Sequence, residues 1–141
     1  MHSSFFFGIS LILIISIWAC FNQGTRAFKG LLNWETTYRW YVAESIDRMV
    51  RDHIVYAEWR PMLLDKTIPS DDGLRKLDHK DQMRIICEVM ATKREEHGEK
   101  FVGVRIIYCT PRSIPQAVMR KELFDNCIPL KQAFPDLICG M

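Results

Sequence analysis

The stretch that most limits what this chain can become is Phe101 to Pro115, FVGVRIIYCTPRSIP. Val102, Val104, Ile106 and Ile107 are β-branched, and such residues suit a pleated, buried strand. Thr110-Pro111-Arg112-Ser113 follows, where proline ends strand pairing and polar side chains take over. Ser113 can cap a helix whose first turn tolerates Pro115. Strand, short polar loop and helix start make one βα unit, with its loop at the strand's C-terminal end. In α/β proteins ligands bind at that end. Arg112 is therefore a candidate binding residue, its alternative role being a solvated loop cation.

The 141 residues suffice for one domain and are short for two. With 19 basic and 17 acidic residues the net charge is +2, and the cations are scattered rather than striped, which argues against nucleic-acid binding. Cysteines 20, 87, 109, 127 and 139 show no zinc-like spacing, and their odd number forbids complete internal pairing. Cys87, Cys109 and Cys139 read as small buried hydrophobes.

Residues 5–20, FFFGISLILIISIWAC, form an uncharged apolar block. It reads as a secretory signal, as a membrane anchor slightly short of the roughly 20 apolar residues a span needs, or as a segment foreign to the fold. Asn22-Gln23-Gly24-Thr25 is the expected linker, dividing a segment 1–26 from a domain 27–141. A helix is expected over 33–51, capped by Asn33, with Tyr38, Val42, Ile46 and Met49 on one face. Residues 54–59 read as a strand, parallel and adjacent to the strand at 102–108. Glu58 and Arg60, two residues apart on that strand, project to one face. They either pair within the sheet or line a polar pocket at the strand's end. Residues 61–77 are expected to form a long solvated loop turning at Asp71-Asp72-Gly73. Asp78 caps a helix over 79–97 that buries Met83, Ile86, Cys87, Val89 and Met90. A third helix spans about 115–133, with Pro129 expected to kink or shorten it. Leu137–Gly140 begins another strand.

Alternating helices and strands argue for an α/β fold with a parallel sheet. FKGLLNWETTYRWY, IVYAEWRPMLLDKTIPSDDG, GVRIIYCTPRSIP and CIPLKQAFPDLICG resemble adenosine deaminase-like metal-dependent hydrolases, in particular the extracellular, growth-factor-related subgroup in its fungal form. The resemblance covers roughly residues 27–140. It implies a partial (β/α)8 TIM barrel of about two to three βα units, secreted to the extracellular space. In complete relatives it implies one zinc and the hydrolytic deamination of adenosine to inosine. It places Glu58, Arg60 and Arg112 at the barrel rim as substrate-binding residues.

The family's H-x-H zinc pair and its H-A-G-E segment have no counterpart in these 141 residues, whose histidines are 2, 53, 79 and 97. Zinc activates water, and deamination also needs a general acid/base. The resemblance therefore implies a fragment truncated at both ends, inactive alone, with no catalytic residue, no metal ligand and no cofactor of its own. A non-catalytic binding protein, secreted or anchored through membrane contact at residues 5–20, is the alternative. An intact small enzyme of other chemistry lacks a visible nucleophile–base pair.

Overall fold

A computed structural model describes residues 3–61, 63, 66–110 and 114–141, with side-chain surroundings from Ser16 onward apart from residues 28 and 29. The chain divides into two compact units, Met1–Asn33 and Trp34–Met141. The first is one helix, α1 (Ser3–Leu32). It runs without a break through Asn22–Thr25, where a linker is expected. A single helical glycine costs only about 1 kcal/mol, and Thr25 Oγ1 donates back to the Phe21 carbonyl at 2.8 Å. Trp18 and Phe21 meet edge-to-face with ring centroids 5.7 Å apart, yet Ile17, Trp18 and Phe21 are each more than half exposed. Among the described residues, no helix is long and apolar enough to cross a membrane.

The second unit runs α2 (Glu35–Arg51), β1 (Tyr56–Trp59), β2 (Thr67–Pro69), β3 (Lys76–Asp78), α3 (His79–His97) and β4 (Gly103–Ile107). A short α4 (Gln116–Glu122), a π-helical turn (Leu123–Cys127), α5 (Ile128–Ala133) and β5 (Ile138–Gly140) complete it. The strands β1, β4 and β5 form one parallel sheet in the order β1-β4-β5. Mixed α/β architecture and parallel, adjacent β1 and β4 both agree with the sequence.

The start of α2 differs from expectation. Its cap position is Trp34, whose side chain makes no capping bond. Asp71, 35 residues beyond Thr36, supplies the acceptor instead: Thr36 N donates to Asp71 Oδ1 at 2.9 Å and Thr36 Oγ1 to Asp71 Oδ2 at 2.5 Å. At its end, His53 takes the left-handed conformation (φ 59°). His53 N then reaches Val50 O at 3.1 Å and Ile54 N reaches Met49 O at 2.8 Å, the paired bonds of a Schellman motif.

Residues 66–77, the part of the expected 61–77 loop that is described without a gap, are also more ordered than a solvated loop. β2 and β3 pair antiparallel, Thr67 with Asp78 and Pro69 with Lys76. Gly73, at φ 70°, closes the turn by donating to Ser70 O at 2.9 Å. The hairpin buries Ile68 and Leu77 against Ile85 of α3, so Ile85 joins that helix's buried side while Cys87 and Val89 are only half-buried. Asp78 does cap α3, through a full capping box with Asp81. Pro129 sits in the first turn of α5, directly after the π-helical turn. That wider turn accommodates a ring that cannot donate and would clash with the preceding carbonyl.

Val42, Ile46, Met83, Ile86, Phe101, Val104, Ile106 and Ile138 form the main core between α2, α3 and the sheet. Full burial of each large aliphatic contributes about 1.5–3 kcal/mol.

Candidate functional site

Register divides the sheet into two unlike faces. Ala57 pairs with Val104 and Trp59 with Ile106, and all four belong to or pack against the core beneath α2 and α3. Alternation sends the intervening residues to the other side. There Glu58 stands level with Arg105, and both are exposed. Tyr56 is 42% exposed and donates its hydroxyl to Glu58 Oε1 at 3.1 Å. Desolvation at the sheet surface, then the bond to Glu58 and its charge, push the Tyr56 phenol pKa up; Arg105 pulls the other way and Cys139 adds to the rise. Those influences bring Tyr56, Glu58, Arg105 and Cys139 together as one polar neighbourhood.

Of the three residues expected at the rim, Glu58 lies within β1 and Arg60 one residue past its end. Arg112 falls outside the described residues. Glu58 and Arg60 form no ion pair; the described partner of Glu58 is Tyr56. Both charged residues line a half-open cavity of about 480 Å³ together with Tyr38, Tyr41, Trp59 and Pro61. Burial pushes the Tyr38 phenol up to about 12. Sequence reasoning passed over Tyr56 and Arg105. The signal was present: Arg105 is the one charge inside the run Val102–Tyr108, and a lone charge at an alternate position of an apolar strand marks its uncovered face.

A second polar cluster lies at the helix ends that lead into β1 and β4. Lys93 Nζ reaches Asp47 Oδ2 at 2.8 Å and Glu96 Oε2 at 2.6 Å. His97 Nε2 lies 2.7 Å from Asp47 Oδ1. Burial alone raises the Asp47 pKa, but the Lys93 and His97 contacts outweigh it and hold the carboxyl below its usual range. Asp47, Glu96 and His97 have ligand-type atoms within 4.8 Å of one another; the Lys93 ammonium already supplies the cation there.

Zinc needs three or four converging ligands. His53 ends α2, His79 starts α3 and His97 ends it, so the described histidines do not meet, and the open face offers Glu58 and Cys139 beside an arginine. These residues do not fit the zinc centre that the resemblance implies. The open face suits recognition instead, with a carboxylate acceptor between phenolic and guanidinium donors.

No protein-family model matches the chain. Among curated proteins, it is 26% identical over 125 residues to Adenosine deaminase 2-A of Danio rerio, covering 89% of this chain and 24% of that protein. It is 27% identical over 124 residues to Adenosine deaminase 2 of Homo sapiens, covering 88% and 23% respectively. Adenosine deaminase 2 of Sus scrofa is 26% identical over 126 residues, with the same coverage of 88% and 23%. The chain thus spans under a quarter of the length of the curated relatives it matches. No solved structure matches it. These similarities support a relationship to an adenosine deaminase-like family.

Proposed function

We propose that this chain is an adenosine deaminase-family segment that presents part of a nucleoside-binding wall and does not deaminate adenosine by itself. The observation that carries the reading is the similarity, over nearly nine-tenths of the chain, to proteins named adenosine deaminase 2. The parallel β1-β4-β5 order supports taking the sheet as a sector of a (β/α)8 barrel, whose substrates bind at the strands' C-terminal ends. Glu58 and Arg60 stand toward that end of β1, and Arg112 follows β4 in sequence. Glu58 accepts hydrogen bonds from a nucleoside's hydroxyl or amino groups, while Arg60 and Arg112 donate to its acceptors.

The zinc chemistry of the resemblance requires ligands that the described residues do not bring together, and we read the chain as needing no cofactor of its own. Purified protein supplied with zinc and adenosine should give a flat inosine baseline; turnover above background would overturn the inactive reading. We place the protein outside the cell, with residues 5–20 as its secretory signal. A membrane-anchored binding protein is the second reading, favoured by the exposed Ile17, Trp18 and Phe21 on α1.

A further inference from the structure

We propose that Tyr56 is a positioning residue that holds the Glu58 carboxylate for ligand recognition on the open face of the sheet. The inference rests on the nucleoside-binding reading for the identity of the ligand, and on the sheet geometry for the contact itself. Tyr56 and Glu58 are alternate residues of β1, so their side chains rise on the same side. The phenol donates to Oε1 at 3.1 Å, leaving Oε2 as the acceptor for an incoming donor. Arg105 stands level with Glu58 on the adjoining strand and is exposed, so its guanidinium is placed to donate to the ligand. A glutamate on an exposed strand face otherwise samples several rotamers, and fixing one lowers the ordering cost of binding. Tyrosine suits the task because its ring is stiff, with two rotatable bonds and a single terminal donor.

The ligand class follows from this arrangement. A carboxylate whose one oxygen is already occupied accepts a hydroxyl or amino donor through the other. A neutral ligand rich in such donors fits better than one that brings an anion to Glu58. Adenosine is such a ligand and serves as the probe.

The test uses the full chain and two variants, Tyr56→Phe and Glu58→Gln. Ultraviolet titration of the tyrosines reads the contact without any ligand. The transition lost in Tyr56→Phe identifies Tyr56, and in Glu58→Gln that same transition should move to lower pH. An unmoved transition overturns the proposal. Calorimetric titration with adenosine then reads the consequence. Glu58→Gln should weaken binding about 10-fold or more, since hydrogen bonds to charged groups are worth roughly 1.5–3 kcal/mol. Tyr56→Phe, which removes only the oriented donor, should weaken it several-fold with an unchanged thermal melt. Wild-type affinity in Tyr56→Phe overturns the positioning role. Absence of adenosine binding to the unmodified chain defeats the nucleoside reading alone, and the tyrosine titration still decides whether Tyr56 holds Glu58.

Discussion

The two faces of the β1-β4-β5 sheet are built from alternate residues of the same strands, yet they obey different rules. On the covered face Val104, Ile106 and Ile138 are almost wholly removed from water. On the open face Tyr56, Glu58 and Arg105 keep their polar ends in solvent. A one-residue slip of β4 would exchange Ile106 for Arg105, so the register is fixed by the cost of burying that guanidinium. On the covered side Asp47, Lys93 and His97 satisfy one another's polar groups. The open side carries polar groups with bonding capacity to spare, and that spare capacity is what a ligand can use.

The contrast breaks most visibly at neighbouring positions of β4. Ile106→Ala should lower stability by about 2–5 kcal/mol in urea denaturation, through lost burial and a residual cavity. Arg105→Ala, one residue away, should stay within about 0.5 kcal/mol of the unaltered protein. Comparable losses at both positions would erase the distinction between the faces.

A smaller effect is expected at the satisfied cluster. Lys93 is 14% exposed and Asp47 25%, between the buried pairs worth several kcal/mol and the exposed pairs worth about 0–1. Asp47→Asn should therefore cost about 1–2 kcal/mol at neutral pH, after discounting for solvent screening. The Asp47 carboxyl titrates lower in the folded protein than in the unfolded chain. Its contribution is then complete above the unfolded value of about 3.9 and disappears as pH falls through the lower folded value. The stability gap between the protein and Asp47→Asn should close across that acid range; a gap that persists below it would remove Asp47 from the account.

Much of this arrangement was legible in the sequence, and the failures share a cause. Helical periodicity located α2 and α3, and the β-branched run located β4, because each element repeats its signal over several residues. β2 and β3 are three residues each, too short for alternation to emerge among the prolines and aspartates around them. The Asn33 cap failed because the acceptor that α2 uses comes from the distant Asp71. The expected choice between a Glu58–Arg60 pair and a polar pocket turned on where β1 ends. Arg60 lies beyond Trp59, the last paired residue, so strand alternation no longer fixes its direction, while Tyr56 remains inside the strand and meets Glu58. Alternation within the expected strand 54–59 already set Tyr56 on the face of Glu58, but a tyrosine in a strand serves equally well on either face and drew no attention.

The Asp71 bond to Thr36 also bears on the order in which the chain assembles. A helix normally carries its own starting signal, so its first turn forms as a local event. Here α2 begins with a tryptophan that cannot cap it, and the missing acceptor sits at the tip of the β2–β3 hairpin. Closing a loop of that length is paid in chain entropy before the bond returns anything. The first turn of α2 is thus tied to a non-local event and settles only once the hairpin has closed and docked, whereas the helix's Schellman-bonded end, built from adjacent residues, can form early. The helix should ripen from its C-terminal end backward.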